Sequence, residues 1–133
     1  TLPSSIITIG NGAFQGAGLE EFTFPEKVQI ISKHCLMSCK KLKKVVIPAS
    51  VKEIKAGAFL YDKALKEIIF KGTTPPLKAT TPYDAFSDIT FDNADGSVFL
   101  HFIVPKGTIN AYIKAWGWEE ADKKYFKEAT DNS

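Results

Sequence analysis

Three residues near the start of the second quarter of the sequence have side chains that bind transition metals. His34 and Cys35 are adjacent, and Cys39 follows four residues after Cys35. A tetrahedral zinc site takes four such ligands, and the chain has no second Cys or His pair to complete one. Cys35 also stands where other copies of a repeat, described below, have alanine. We therefore expect both cysteines to be small core residues, and we expect no metal and no other cofactor.

A second candidate is the run Asp-Asn-Ala-Asp-Gly at residues 92–96, which has the composition of a calcium-binding loop. An EF-hand loop has glycine at its sixth position. If Gly96 takes that position, Phe91 falls on the first ligand and Phe102 falls on the bidentate glutamate. The sequence therefore excludes an EF-hand, and a looser surface calcium site stays open.

Catalytic chemistry has little support in the sequence. The two histidines, His34 and His101, belong to no Gly-x-Ser-x-Gly motif and no glycine-rich phosphate loop. Carboxylate pairs occur at 20–21 and 119–120, but neighbouring side chains on a strand point in opposite directions, and the second pair lies outside the repeats. We expect these pairs to be solvated charges, and we expect the protein not to be an enzyme.

Composition narrows the possible partners. The 133 residues are 44% hydrophobic and 24% charged, as in a soluble globular domain. All 17 basic residues are lysine, and the net charge is +2. Arginine provides the planar fork that grips phosphates and guanine edges, so its absence argues against nucleic-acid binding. The sequence has no apolar run of the roughly 18 residues that a membrane-spanning helix needs, and we expect no membrane insertion.

A repeat of 22–23 residues positions these side chains. Each copy contains the pattern Leu-x-x-apolar-x-apolar, and Pro25 and Pro48 directly follow two of the copies. Apolar residues at i and i+2 predict a short strand with one buried face, and proline ends it because it has no backbone donor. One copy cannot bury its own apolar face, so we expect the copies to stack with parallel strands. The recurring positions are Leu19, Leu42 and Leu65; Phe22, Val45 and Ile68; and Phe24, Ile47 and Phe70.

Other apolar residues between the strands also recur, and we expect them to fill the interior. They are the pairs Ile6 and Ile9, Val28 and Ile31, and Val51 and Ile54, followed by Ala13-Phe14, Cys35-Leu36, Ala58-Phe59 and Ala85-Phe86. A divergent last copy has Phe99, Phe102 and Val104 at the strand positions. It contains an insertion over residues 87–98, in which Asp95-Gly96 predicts a hairpin with a two-residue loop.

Helical signals follow the last copy. Thr108 is a candidate N-cap, apolar residues then recur at helical spacing, and Gly117 is a typical stop. A second helix is predicted, with Ala121 and Ala129 on one face. A stack of repeats needs an end piece that is apolar toward the stack, and residues 108–133 are predicted to form this helical cap.

The residue pattern of the repeat resembles that of a known family. Residues 2–16 read Leu-Pro-x-Ser-Ile-x-x-Ile-Gly-x-x-Ala-Phe-x-Gly, and residues 42–48 read Leu-x-x-Val-x-Ile-Pro. Both resemble the BspA-like leucine-rich repeats of bacterial surface proteins. The section Val-Pro-Lys-Gly-Thr-Ile-Asn-Ala-Tyr at residues 104–112 is similar to the C-terminal end of that family, where the last coil runs into a small helical cap.

This resemblance implies both a fold and a role. The fold is a leucine-rich repeat solenoid of the α/β type, rich in β-structure, with about four short parallel strands in a curved superhelix. The chain forms one domain, with regular repeats over 1–71, a divergent last coil over 72–107 and the cap over 108–133. The role is that of a non-enzymatic, extracellular module, secreted or surface-anchored, that mediates adhesion to host matrix glycoproteins or to other cells and their surface proteins.

The side chains between the buried strand positions should line the concave face, where such repeat proteins usually bind. One column of this face alternates in charge. This alternation fits a recognition surface, and it also fits ion pairs that set the strand register. The other column is largely apolar, and it is either a docking strip or an ordinary set of exposed strand residues. The eight predicted binding residues are Glu21, Thr23, Lys44, Val46, Glu67, Ile69, His101 and Ile103.

Two other functions stay open. Trp118 follows a helix stop and could stack on a sugar ring, which would make the chain a carbohydrate-binding module. Alternatively, the chain is a passive spacer or end cap for upstream repeats. Leu2-Pro3 aligns with the end of a strand, which leaves the layer of Ile6 and Ile9 uncovered. We therefore expect either more repeats upstream or self-association through this N-terminal end.

Overall fold

Short strands outnumber helices in the described part of the chain. The structure, a computed structural model, describes residues 3, 5–78 and 85–129. Its helical segments over these residues are α1 at Ile109–Trp116 and a 3₁₀ helix at Glu120–Tyr125. The strands are β1 Glu21–Thr23, β2 Ile30–Ile31, β3 Lys44–Ile47, β4 Glu53–Ile54, β5 Glu67–Phe70, β6 Leu77–Lys78, β7 His101–Val104 and β8 Phe126–Glu128.

These strands form two parallel sheets. The first has the order β1-β3-β5-β7-β8, and the second has the order β2-β4-β6. Phe22 pairs with Val45, Val45 with Ile68, and Ile68 with Phe102. Parallel neighbours need a long crossover, and the segment carrying a strand of the second sheet provides it. The repeat length therefore sets the strand register, because residues 23 apart occupy the same position on β1, β3 and β5.

One hydrophobic core contains the buried faces of both sheets, and the predicted alternation along the strands is confirmed. In β3, Val45 and Ile47 are buried while Lys44 and Val46 are half-buried. Cys35-Leu36 and Ala58-Phe59 are fully buried, or nearly so, as predicted. The first copy differs, since Ala13 is exposed and Phe14 is half-buried. Phe14 packs on Phe22 with ring centroids 5.0 Å apart and so contacts the edge of the core.

Two turn positions in the regular repeats have a left-handed backbone. Their φ angles lie between 57° and 72°, and their residues are Gly12, His34 and Gly57 at the first position and Gly16, Ser38 and Tyr61 at the second. The second position joins successive copies, because Gly16 N donates to Met37 O and Ser38 N donates to Leu60 O, both at 2.8 Å. Ser38 and Tyr61 thus accept a strained conformation that glycine would adopt freely.

The end of the chain is only partly helical. α1 begins after Thr108 and ends before Gly117, whose φ is 68°, as predicted, but the Thr108 hydroxyl makes no capping hydrogen bond and donates instead to Pro105 O at 2.6 Å. The predicted second helix is wrong in its second half: a 3₁₀ helix leads into β8, which adds a fifth strand to the first sheet. Phe126 explains this difference, because its ring stacks on Phe102 at 5.2 Å and is buried, while Lys127 is exposed.

The strand count therefore exceeds the expected four, and the second sheet was not foreseen. Its strands contain only two residues each, which is too short for alternation to show in a sequence. β8 has one core residue, so it also lacks a periodic pattern. Both kinds of strand exist because a neighbouring copy supplies their hydrogen-bond partners.

The insertion folds back on itself. Asp92 and Val98 form an antiparallel bridge. Asn93 N donates to Ser97 O at 2.7 Å and Gly96 N donates to Asn93 O at 2.9 Å, so the loop has three residues rather than the predicted two. Gly96, with φ of 89°, fits the left-handed last position of such a loop.

Two expectations lie outside the described residues. They concern Leu2 as the end of a strand and residues 130–133 as the end of the cap. Among the helices that the structure describes, none combines the length and the apolar character needed to cross a membrane.

Gly16 and Gly18 allow the strained turn to be tested. A Cβ added to either glycine would meet no atom within 4 Å, but of the two only Gly16 has a positive φ, 72°. Gly16→Ala should lower the free energy of unfolding by about 1 kcal/mol, because alanine is strained there. Gly18→Ala should leave it unchanged or raise it by about 0.5 kcal/mol, since it only restricts the unfolded chain. Urea unfolding measures both, and equal losses would contradict the account.

Candidate functional site

The first sheet brings the eight predicted binding residues onto one face, which we call the sheet face. Its members alternate with core residues along the strands, as in β5, where Glu67 and Ile69 flank the buried Ile68. Parallel register aligns them in two columns. The charged column is Glu21, Lys44, Glu67 and His101, and the apolar column is Thr23, Val46, Ile69 and Ile103.

The charged column is held by weak ion pairing. Lys44 Nζ lies 4.0 Å from Glu21 Oε1, and because Glu21 is exposed and Lys44 only half-buried, this pair contributes little stability. His101 has a lowered pKa because of its partial burial and then because of the positive charge of Lys127, while Glu67 opposes the shift. A neutral imidazole has one donor and one acceptor nitrogen, so His101 can bind polar groups of either kind.

The apolar column is continuous and partly accessible. Val46, Ile69 and Ile103 are half-buried on adjacent strands, and Thr23 is exposed at one end. Lys127 of β8 pairs with Ile103 and closes the other end. Sequence reasoning missed Lys127, because it placed this residue in a helix, and a strand with one core residue gives no detectable alternation.

The cysteines lie in the core, as predicted. Both are buried and free of disulfides. Burial raises the pKa of Cys35 to about 12 and that of Cys39 to about 11, so both stay as thiols near neutral pH and are poor metal ligands. His34 is half-buried and lies against Gly57. A Cβ added to Gly57 would lie 2.6 Å from Cδ2 of His34. Within residues 3, 5–78 and 85–129, no three His, Cys, Asp or Glu side chains are grouped to hold a metal ion.

A buried carboxyl that sequence reasoning missed lies near the cysteines. Asp62 occupies the repeat position of Cys39, 23 residues further on, and is fully buried. Its Oδ1 accepts a hydrogen bond from Cys39 N at 2.8 Å, and its Oδ2 has no partner among the described residues. Burial raises the pKa of Asp62 to about 8, although the Cys39 amide opposes this shift. The only signal in the sequence was an acidic residue at a repeat position that is occupied in another copy by the small residue Cys39.

Side chains in the Asp-Asn-Ala-Asp-Gly run at residues 92–96 form hydrogen bonds that shape the hairpin. Asp95 Oδ1 accepts hydrogen bonds from Ser97 N at 2.9 Å and Ser97 Oγ at 2.6 Å, which lower the pKa of Asp95. Asn93 Nδ2 donates to Ser97 Oγ at 2.9 Å. Asp92, in the bridge at the base of this turn, accepts a hydrogen bond from the Tyr125 hydroxyl.

Trp118 lies in a cleft of about 340 Å³, which we call the cap cleft. The cap cleft lies between the insertion and the section that follows α1. The cleft is lined by Phe91, Asp92, Trp118, Asp122 and Tyr125. The indole is half-buried, with ring centroids 5.4 Å from Phe102 and 5.8 Å from Phe126. Trp118 is therefore anchored to the core, and only part of its ring is accessible.

Parallel strands that pair one repeat apart, with a leucine at each turn into the strand, define a leucine-rich repeat protein. A model of the BspA type leucine-rich repeat region matches residues 1–94 in six copies. The chain therefore belongs to the BspA-type leucine-rich repeat family. Repeats of this family are generally non-enzymatic, usually mediate protein–protein interaction and are typically found on bacterial surfaces. No curated protein matches the sequence significantly.

Asp62 should make the stability of the protein depend on pH. Because its pKa is about 8 in the folded state and about 3.9 in the unfolded state, the folded protein holds the proton more tightly. Stability from this group is therefore full below pH 4 and is lost as the pH rises to 8, at no more than about 1.4 kcal/mol per pH unit. Asp62→Asn keeps the acceptor for Cys39 N and cannot ionise.

Chemical denaturation between pH 5 and pH 8 tests this expectation. The unfolding free energy of the wild-type protein should fall relative to that of Asp62→Asn over this range, and the variant should be the more stable protein at pH 8. A constant difference between the two proteins would show that Asp62 is already ionised in the fold.

Proposed function

We propose that this protein is an extracellular adhesion module that binds other proteins through the sheet face. The repeats are proposed to form a curved solenoid whose concave side is this face. The chain is proposed to be one domain, with regular repeats over 1–71, a divergent last coil over 72–107 and an end cap over 108–133. The family supports a binding role, since its repeats usually mediate protein–protein interaction.

The observation that carries the proposal is the continuous apolar column of Val46, Ile69 and Ile103 on an accessible face. Burial of the apolar surface of these residues is favourable by about 25 cal/mol per Å², and a partner surface could supply that burial. The adjacent charged column gives the direction and specificity of docking, because complementary charges steer association. A partner should therefore present an apolar ridge beside groups of alternating charge.

The size of the face limits its affinity. A standard protein interface uses about 20–30 residues on each side, and the sheet face has eight predicted members and Lys127. A partner must therefore reach beyond these residues or bind weakly and gain strength from several contacts. Repeated weak contacts are suited to adhesion between a cell surface and a matrix. Host matrix glycoproteins and the surface proteins of other bacteria are the proposed partners.

Ile69→Glu tests the sheet face directly. A charge in the middle of the apolar column should weaken binding at least tenfold, because the carboxylate would be desolvated against an apolar surface. Leu77→Glu is the matched control: Leu77 is 72% exposed and lies in β6 of the second sheet. Surface plasmon resonance on immobilised matrix glycoproteins measures both, after thermal unfolding shows that the variants are folded. Equal binding by wild type and Ile69→Glu would contradict the proposal.

A further inference from the structure

We propose that the cap cleft is a binding site for a neutral saccharide. It is built from residues outside the regular repeats, and it shares no residue with the sheet face. The proposal therefore rests on its own observations: the arrangement of three aromatic rings, the two carboxylates beside them and the charges already present.

The cleft is built from two segments that are tied together. Phe91 and Asp92 come from the insertion, and the other lining residues come from the section after α1. The Tyr125 hydroxyl donates to the Asp92 carboxylate, with 2.9 Å to each oxygen. The Phe91 ring packs edge-on against Tyr125 at 5.2 Å and against Trp118 at 6.3 Å. These contacts are internal to the protein and hold the two walls of the cleft together, which lowers the ordering cost of binding a ligand.

The lining offers two kinds of contact. The rings of Trp118 and Tyr125 are only half-buried, so they present apolar surface that can pack against the C–H face of a sugar ring. Asp92 and Asp122 are acceptors, and each carboxylate has about four lone-pair positions. Tyr125 uses part of this capacity on Asp92, and the Glu119 amide uses one Asp122 oxygen at 2.8 Å. The remaining positions can accept hydrogen bonds from neighbouring hydroxyl groups.

The charges around the cleft favour a neutral ligand. Two carboxylates in the lining repel an anion. Two ammonium groups nearby offset this negative charge, since Lys78 Nζ lies 5.6 Å from the Trp118 ring centroid and Lys124 Nζ lies 5.2 Å from the Tyr125 ring centroid, so the cleft has no excess negative charge to select a cation. A donor-rich, uncharged ligand with one apolar face satisfies both conditions. The volume of about 340 Å³ is at the small end of ligand sites, which suits one or two sugar rings.

The two tryptophans of the chain allow a direct test by NMR. Trp116 is buried, and its Nε1 donates to Pro76 O at 2.9 Å, so its indole signal is an internal reference. The ¹⁵N-labelled protein is titrated with the methyl glycosides of glucose, galactose, mannose and N-acetylglucosamine. With at least one glycoside, the Trp118 indole signal should move saturably, with a Kd of roughly 1 mM, while the Trp116 signal moves less.

Variants locate the effect in the cleft. Asp92→Asn turns an acceptor oxygen into a donor and should weaken binding by about tenfold, whereas Asp88→Asn changes an exposed aspartate of the same insertion outside the lining and should not weaken it. The proposal is overturned if no glycoside moves the Trp118 signal saturably, or if the two variants lose affinity equally. It is also overturned if tetramethylammonium chloride binds where the glycosides do not, because the cleft would then be a cation site.

Discussion

Hydrogen bonds between backbone groups one repeat apart hold this protein together, and the other features depend on them. Just before the strands of the first sheet, Lys43 N donates to Glu20 O at 2.7 Å and Lys66 N donates to Lys43 O at 2.9 Å. The left-handed turns continue the same pattern on another side of each copy, with Leu36 N donating to Ala58 O at 2.9 Å. The paired residues are 23 apart between β1, β3 and β5, whereas β5 and β7 pair 34 residues apart because the last copy contains the insertion. A shift of one residue would send every core side chain of a strand to the opposite face.

The two candidate binding surfaces are built by different means. The sheet face follows from the repeat itself, since each new strand adds one residue to each column. The cap cleft depends on an irregular end that must be fixed to the last copy. Tyr112 donates its hydroxyl proton to Gly72 O at 2.7 Å, and Trp116 Nε1 donates to Pro76 O, so α1 is tied to the segment after β5. These bonds place α1, and with it Trp118, against the aromatic residues of the core.

Much of this architecture could be predicted from the sequence, because the spacing of the repeat gives the pairing register of the strands directly. Leu42, Val45 and Ile47 indicate a strand, its buried face and its partners, since each residue has equivalents 23 positions away. The sheet face followed from the same reasoning. What the sequence did not reveal depends on single residues without equivalents. Phe126 is the one buried residue of β8, and the second sheet consists of strands with two residues each.

The cap cleft was also only partly visible in the sequence. Trp118 was a candidate for sugar stacking, but its neighbours Phe91 and Tyr125 are 34 residues apart and are brought together by tertiary packing. Asp62 was missed for another reason: a charged residue on a repeat reads as a surface residue, and only the structure shows that its position is fully buried. Such exceptions to the repeat are informative, because each introduces chemistry that the regular copies do not have.

The sheet face depends most on the in-register alignment of the apolar column, and methyl NOE spectroscopy tests this alignment directly. Strands in a sheet lie about 4.8 Å apart, so the methyl groups of Ile69 should show strong NOEs to those of Val46 and Ile103. They should show no strong NOEs to the rings of Phe70 and Phe102, which lie on the core side of the sheet. Strong NOEs from Ile69 to these core rings, without NOEs to Val46, would contradict the register and the sheet face built on it.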